Sequence, residues 1–238
     1  MHVTYDTITT GLRQLGLDES SSVVVHASLR SFGHVEGGAD TVARALTDVC
    51  GTVLVLAASG DVTRLPAPPG LVRPHNAFYE ADDWTRFDEA VAAAGVFRAD
   101  LPVDGWLGAV AEALRRRPGS VRSDHPLFSF VAVGEHADDL ITAQRTDLPL
   151  GPLDTLAALD GQVLLLGVSH TSNTTMHLAE QRLGRSRFFR YAKTAPGVWS
   201  EFPDIPGESH RFDDIESELA PLTTEARIGS CRARKVSV

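Results

Sequence analysis

Residues 161–180 read Gly-Gln-Val-Leu-Leu-Leu-Gly-Val-Ser-His-Thr-Ser-Asn-Thr-Thr-Met-His-Leu-Ala-Glu. The apolar run from Gln162 to Val168 is short and nearly continuous, which is typical of a strand buried on both faces of a sheet. The polar residues that follow predict a loop at the end of this strand. Asn173 is a suitable N-cap for a helix that runs to about Leu183, before Gly184. The stretch therefore predicts a buried strand, a polar loop and a helix.

Two residues of that predicted helix form a candidate catalytic pair. His177 and Glu180 are three positions apart, so their side chains lie on one face and within reach of each other. An imidazole titrates near neutral pH and can accept a proton, whereas a lone histidine on a helix is more often structural. The pair could also be half of a carboxylate-bridged metal site, but such a site needs a second motif of the same kind, and none is visible. We expect no metal.

The order of elements before this stretch indicates the fold class. An amphipathic helix is predicted over 4–16, strands at Ser22–Ala27 and Thr52–Ala57, and a helix from Gly37-Gly38 between the two strands. A strand, a polar loop, a helix and a strand form a βαβ unit. We therefore expect an α/β fold with a mixed, partly parallel central sheet covered by helices on both faces. Ligands of such sheets bind beyond the carboxyl ends of the strands.

The remaining segments follow the same pattern less regularly. Residues 58–95 are predicted to be irregular because they contain Pro66, Pro68, Pro69 and Pro74. The other predicted elements are helices at Leu107–Arg116, Ala137–Ala143, within Asp147–Leu159 and at Asp213–Leu219, and strands at Phe128–Val133 and Phe188–Thr194. No repeat, low-complexity segment or linker interrupts them, so a single domain is predicted over residues 1–238.

Composition narrows the classes of partner and compartment. The net charge is −9 over 238 residues, which argues against nucleic acid and suits a cationic ligand. The N-terminus lacks the basic and apolar regions of a signal peptide, and no apolar stretch approaches the roughly 20 residues of a membrane helix. Two cysteines, Cys50 and Cys231, fit a reducing compartment. We expect a cytoplasmic protein that does not bind membranes, and the oligomeric state stays open between monomer and homodimer.

Three motifs together resemble a known family. Leu-Leu-Leu-Gly-Val at 164–168, followed by Asn-Thr-Thr-x-His-Leu-Ala-Glu at 173–180, resembles the signature of the aminoglycoside 3-N-acetyltransferases. Val-His-Ala-Ser-Leu-Arg-Ser-Phe-Gly at 25–33 is similar to the family's His-Ser-Ser-Leu-x-x-x-Gly, with Ala27 in place of one serine. Pro-Gly-Ser-Val-Arg-Ser-Asp-His-Pro at 118–126 is similar to its Pro-Gly-x-x-Arg-Ser-x-His-Pro segment.

The resemblance implies an activity and roles for the matching residues. Members transfer an acetyl group from acetyl-CoA to an amine of an aminoglycoside antibiotic, so acetyl-CoA is the implied co-substrate and a cationic aminoglycoside the implied partner. His177 and Glu180 become the implied catalytic residues, and Glu180 either orients the imidazole or attracts the cationic amine. The residues implied to bind the cofactor are His26, Ser28, Leu29, Arg30, Ser31, Gly33, Arg122, Ser123 and His125. Turns with free N–H groups and arginine are suited to bind its phosphates.

The acceptor side of the predicted site is less well matched. Acidic residues suit a polyamine, so Asp61 and Asp147 join Glu180 as candidate substrate-binding residues. The chain departs from the family pattern at residues 56–61, at Pro102-Val103 and at Gly151, where members usually have a serine. These departures keep open the acylation of a different amine in natural-product metabolism.

A third interpretation is a non-catalytic member that binds coenzyme A, although a binding protein has no need of the His177/Glu180 pair. For an enzyme, direct transfer is expected because no activated nucleophile stands out, with Ser28 as acyl acceptor the exception.

Overall fold

The computed structural model describes residues 2–70, 80–184, 188–204 and 209–237. Its helices are α1 (Tyr5–Gln14), α2 (Gly38–Val49), α3 (Gly60–Thr63), α4 (Trp84–Ala93), α5 (Ala109–Arg115), α6 (Ala137–Thr142), α7 (Gly151–Ala158), α8 (Thr175–Arg182) and α9 (Glu216–Leu219). Its strands are β1 (His2–Val3), β2 (Ser22–Ala27), β3 (His34–Val35), β4 (Thr52–Leu56), β5 (Arg64–Leu65), β6 (Val121–Arg122), β7 (Phe130–Gly134), β8 (Gln162–Leu166), β9 (Phe188–Ala195), β10 (Val198–Asp204), β11 (Thr223–Ile228) and β12 (Cys231–Ser237). Short 3₁₀ helices occur at Leu29–Phe32, Gly105–Leu107, His170–Ser172, Ser209–Ile215 and Ala220–Leu222.

The central sheet is mixed, as the sequence predicts. In the described part of the chain it has seven strands in the order β11-β12-β8-β2-β4-β7-β6. Strand β2 lies parallel to β4 on one side and to β8 on the other, whereas β7, β6 and β12 each join antiparallel to a neighbour. The pairing of Ala27 with Leu166 brings the carboxyl ends of β2 and β8 to the same edge of the sheet. The predicted partly parallel sheet is confirmed.

Successive side chains of each central strand point to opposite faces of the sheet, so both faces are apolar and helices cover both. Val23 and Val25 of β2 pack with α1, α2 and α5, whereas Val24 packs on the other face with α6, α7 and α8. The central strands are apolar at nearly every position, which explains why they read as continuous runs rather than as an alternation. Burial of one such side chain contributes about 1.5–3 kcal/mol.

The prediction of an irregular region over 58–95 is wrong for its second half. Helix α4 begins after Asp83, whose Oδ1 accepts a hydrogen bond of 2.8 Å from the N–H of Arg86. Phe87 and Val91, four positions apart, pack with Tyr191 in a small cluster under a second, three-stranded sheet of β5, β9 and β10. The prolines stop before this helix, and Pro74 lies outside the described residues.

The C-terminal part also differs from prediction. The predicted helix at Asp213–Leu219 is a 3₁₀ helix at Ser209–Ile215 followed by the short α9. The tail forms the hairpin of β11 and β12, for which the sequence analysis predicts no strand. Its second strand extends the sheet beside β8, so it lies next to the stretch that carries the candidate catalytic pair.

The turn after β2 packs directly on the backbone after β8. The N–H of Ser28 donates to the carbonyl oxygen of Leu166 over 2.9 Å. Gly167 has a φ of +69°, and a Cβ built there lies 1.8 Å from Oγ of Ser31. Only a residue without a side chain fits this contact, which explains the glycine in the Leu-Leu-Leu-Gly motif.

Gly167→Ala is expected to lower the free energy of unfolding by about 2–5 kcal/mol, since it combines a left-handed backbone with a steric overlap. Gly197→Ala is the matched control: Gly197 has a φ of +71°, and no described atom lies within 4 Å of its added Cβ. It should lose only about 1–2 kcal/mol. Urea unfolding measures both, and equal losses would contradict the close approach of the two turns.

Candidate active site

The candidate catalytic pair meets on α8 as the spacing predicts. Oδ1 of Asn173 accepts a hydrogen bond of 3.1 Å from the N–H of Thr175, the first residue of the helix, although the N-cap position is Thr174 rather than the predicted Asn173. Nδ1 of His177 and Oε2 of Glu180 are 3.0 Å apart, and the two side chains are only 12% and 13% exposed. A contact this short between partly buried groups orients the imidazole relative to the helix.

Burial and the charge of Glu180 shift the pKa of His177 in opposite directions. Burial lowers the pKa of His177, whereas the hydrogen bond and the negative charge of Glu180 raise it, and burial is the larger effect. The imidazole is therefore neutral near neutral pH. If its Nδ1–H donates to Glu180, Nε2 has a free lone pair and can accept a proton.

An aromatic ring that the sequence analysis does not single out covers the imidazole. The ring of Phe212 lies edge-on to His177, with the two centroids 4.8 Å apart. Phe212 is buried and belongs to the 3₁₀ helix at Ser209–Ile215. The sequence offers only one signal for it, a single aromatic residue within an acidic segment without periodicity.

His26, predicted to bind the cofactor, lies at the start of α8. Its Nε2 accepts a hydrogen bond of 3.4 Å from the N–H of Thr174. Burial, and next the charge of His177, lower the pKa of His26 to about 4, so it is neutral at the pH of the cell. The structure therefore brings His26 and His177 together, and the role of His26 in cofactor binding stays a prediction.

The other residues of the first predicted cofactor segment form a tight turn at the carboxyl edge of the sheet. Oγ of Ser31 donates to the carbonyl oxygen of Ser28 over 2.7 Å, and Gly33 ends the 3₁₀ turn with a φ of +85°. Leu29 packs partly against the core, whereas Arg30 is exposed. The turn thus presents a cationic side chain to solvent beyond the carboxyl end of β2.

Arg122, the predicted phosphate ligand, uses its donors inside the protein. Its acceptors are the carbonyl oxygens of Ala57, Ala99 and Leu101 and the hydroxyl oxygens of Ser59 and Ser129. Burial lowers the pKa of Arg122 to about 10. All five N–H groups of the guanidinium have a partner, so a phosphate would have to displace one of them. Arg122 holds together the segments that follow β4 and precede β7.

Ser123 and His125 are likewise built into the turn before β7. Oγ of Ser123 accepts from the N–H of Phe130 over 2.8 Å and donates to Oε1 of Gln144. Nδ1 of His125 accepts from the N–H groups of Leu127 and Phe128 over 3.2 and 3.1 Å. Burial lowers the pKa of His125 to about 4. Both side chains are buried, and coenzyme A binding by them stays a prediction.

The two candidate acceptor acids lie at the surface. Asp61 is exposed on α3, and the first N–H groups of that helix donate to the carboxylate of Asp104 over 3.0 and 2.8 Å. Asp104 is buried and is a residue that the sequence analysis does not single out. Asp147 is exposed and pairs with Arg145 over 2.7 Å. The structure therefore leaves Asp61 and Asp147 at the surface, whereas Glu180 is partly buried.

One departure from the family pattern has a steric reason. A Cβ added at Gly151 lies 2.0 Å from the carbonyl oxygen of Ala143. A serine at position 151 therefore requires a different path of the chain between α6 and α7. Pro102 accepts a hydrogen bond of 2.9 Å from Oγ of Ser59, which ties the second departure to the end of β4.

The described ranges contain neither a membrane-spanning helix nor a cluster of metal ligands. Within residues 2–70, 80–184, 188–204 and 209–237, no helix is both long and apolar enough to span a bilayer. In the same ranges there is no group of three or more histidine, cysteine, aspartate or glutamate side chains that could hold a metal ion.

Known proteins are similar to this chain in sequence and in architecture. The model of a protein family described as aminoglycoside 3-N-acetyltransferase matches residues 24–238. Aminoglycoside N(3)-acetyltransferase VII of Streptomyces paromomycinus is 36% identical over 239 residues, which cover 94% of this chain and 77% of the relative. The crystal structure of the YokD protein from Bacillus subtilis superposes with a TM-score of 0.82 at 29% identity, covering 98% of this chain and 94% of that one. Aminoglycoside acetyltransferase AAC(3)-Xa superposes with a TM-score of 0.81 at 32% identity, covering 99% and 88%.

Glu180→Gln is expected to lower the pKa of His177 further, because the carboxylate charge and its hydrogen bond both favour the imidazolium. A proton NMR titration of the imidazole measures this shift. Glu89→Gln on α4, whose carboxylate pairs with Arg86 at the surface, should leave the titration of His177 unchanged. An upward shift in Glu180→Gln would show that Glu180 does not stabilise the imidazolium.

Proposed function

The chain belongs to the aminoglycoside 3-N-acetyltransferase family, and we propose that it transfers the acetyl group of acetyl-CoA directly to an amine of an aminoglycoside, with His177 as the general base. The observation that carries this proposal is the 3.0 Å contact between His177 and Glu180, largely buried beyond the carboxyl end of β8. Family members are enzymes, and this chain retains a base and its orienting acid at the place where α/β sheets bind ligands.

The chemistry requires a base at this point. Aminoglycoside amines are largely ammonium ions near neutral pH, and only the free amine attacks a thioester. Nε2 of His177 accepts a proton from the amine as its nitrogen bonds to the acetyl carbon. The C–S bond then breaks, the imidazolium gives this proton to the sulfur, and coenzyme A leaves as the thiol. Glu180 holds the imidazole through Nδ1 and stabilises its positive charge. Of the two roles open for Glu180, this contact favours orienting the imidazole over binding the amine.

Coenzyme A is proposed to bind along the turn at Ser28–Gly33. This turn lies beyond the carboxyl end of β2, and Arg30 is exposed on it. The acetyltransferase AAC-IIIb, which shares the fold, is solved as a binary complex with CoASH. Because Arg122, Ser123 and His125 are committed to internal hydrogen bonds, we assign the phosphate contacts to the exposed Arg30 rather than to them.

The acceptor is proposed to be a polyamine drawn to the site by negative charge. The chain carries a net charge of −9, and both Asp61 and Asp147 are exposed. Another acetyltransferase of this fold, 25% identical, is solved in complex with apramycin. We place the reaction in the cytoplasm, where acetyl-CoA is available and the buried free thiols Cys50 and Cys231 stay reduced.

Replacement of the base tests the mechanism. His177→Ala is expected to lower turnover by a factor on the order of 10² to 10⁴, the usual effect of losing a general base. Glu180→Gln should lower it less, and the double variant should be little worse than His177→Ala alone, since the two residues share one task. The measurement is release of the coenzyme A thiol with a panel of aminoglycosides.

The control for this test is His136→Gln. His136 precedes α6 beside the start of β4, at the opposite edge of the sheet, so its replacement should leave turnover unchanged. Near-normal turnover in His177→Ala would refute His177 as the base. Turnover by the unaltered protein with a neutral monoamine but with no aminoglycoside would instead favour acylation of a different amine.

Coenzyme A should raise the melting temperature by mass action, with about 2.7 kcal/mol of stabilisation at a ligand concentration one hundred times the Kd. Arg30→Gln should reduce this shift because it removes a charge that attracts the phosphates. Arg13→Gln replaces an equally exposed arginine at the end of α1 and should leave the shift unchanged. No stabilisation at millimolar coenzyme A would count against the proposed donor.

A further inference from the structure

Arg234 is a buried arginine that joins two separate parts of the chain beside the site. It lies on β12, the neighbour of β8, and its side chain is only 4% exposed. Nη2 donates to the carbonyl oxygen of Val168 over 2.7 Å, and Nη1 donates to Oε1 of Glu216 over 3.0 Å. One guanidinium therefore bridges two acceptors that are far apart in sequence.

Both acceptors lie close in sequence to residues that carry or contact His177. Val168 begins the loop that runs from β8 to α8, the helix that carries His177. Glu216 directly follows the 3₁₀ helix at Ser209–Ile215, which carries Phe212. This 3₁₀ helix packs against both the 3₁₀ turn at His170–Ser172 and α8. Arg234 thus connects the segment under His177 to the segment that covers it.

We propose that Arg234 is a positioning residue for the transfer reaction, which holds Phe212 over His177 by joining the loop at Val168 to the segment at Glu216. This inference rests on the proposed function, in which His177 is the base. Arg234 itself acts only through Phe212 and the loop.

The side chain is suited to this task because a guanidinium presents two Nη groups in one rigid plane. Both hydrogen bonds involve a charged donor, and a buried charge that loses an acceptor is strongly unfavourable, so the bridge resists opening. Arg232, two positions earlier on the same strand, provides the contrast. It donates to Glu225 and Glu216, and its side chain is 52% exposed.

The charged groups around His177 indicate whether a change at Arg234 would alter the pKa of His177 through burial or through direct charge. The titratable groups that face His177 are Glu180 on its own helix and His26 at the end of β2, whereas the segment above it presents the uncharged Phe212. The charged groups Asp213, Glu216, Arg232 and Arg234 act on His170 instead. A change at Arg234 should therefore reach His177 through burial rather than through direct charge.

The experiment compares Arg234→Lys with Arg232→Lys. Lysine keeps the charge, but its single nitrogen cannot replace two Nη groups that point at different acceptors. In Arg234→Lys the cover loosens, water reaches the imidazole, and the pKa of His177 rises from its lowered value by on the order of half a pH unit or more. The acid limb of kcat/KM moves to higher pH with it, because the base must be neutral. Arg232→Lys should change neither quantity.

Two further variants keep the test decisive if Arg234→Lys does not fold. Phe212→Ala removes the cover and should raise the pKa of His177 without altering any charge. Glu216→Gln weakens one acceptor of Arg234 and should move the pKa in the same direction. Circular dichroism and melting temperature establish that each variant is folded.

The NMR titration of His177 does not depend on turnover, so it tests the role of Arg234 separately from the role of His177 as the base. An unchanged pKa of His177 in folded Arg234→Lys or, if that variant is unfolded, in folded Glu216→Gln would overturn the role of Arg234. A pKa that rises while the acid limb stays in place would support the role of Arg234 and show that His177 is not the base. An equal shift in Arg232→Lys would also overturn the inference, because it would trace the effect to the shared partner Glu216.

Discussion

The parallel pairing of β2 with β8 is the constraint on which the candidate site depends. It places the ends of both strands at one edge, where the N–H of Ser28 donates to Leu166 and the turn at Ser31 packs on Gly167. The residues proposed for the donor and for the base each follow one of these two strands. The turn for the donor follows β2, and the loop and helix of the base follow β8. A shift of one residue in this pairing would turn the apolar side chains to the wrong faces and separate the two loops.

At His177 the balance between burial and charge suits a base. Burial alone would favour a neutral imidazole, but an imidazole without a partner would have no defined orientation. Glu180 supplies the orientation, and its charge offsets part of the effect of burial, so the pKa stays lowered. Phe212 contributes to the burial without adding a charge. The result is a neutral, oriented ring that can still be protonated when the amine gives up its proton.

The sequence predicts well whatever depends on neighbours along the chain. Apolar runs of strand length predict β2, β4 and β8, and a spacing of three predicts the contact between His177 and Glu180. Family membership is confirmed by the match over residues 24–238. Helix α4 is missed because the prolines before it dominate the reading of the whole segment. Local sequence patterns do not predict contacts between segments that are far apart in the sequence. Phe212 contacts His177 and Arg234 contacts Val168 across dozens of residues of sequence, and neither residue belongs to a periodic pattern or a motif.

The unfolded chain binds a proton at His125 more tightly than the folded chain does, so acid favours unfolding at this turn. Its imidazole accepts two backbone N–H groups through Nδ1, which a protonated ring cannot do, and its pKa of about 4 lies below the value of about 6.5 of an unfolded histidine. Its contribution is complete above pH 6.5 and declines as the pH falls toward 4, to a loss of roughly 3 kcal/mol. A histidine of the matched motif thus makes the folded protein less stable in acid.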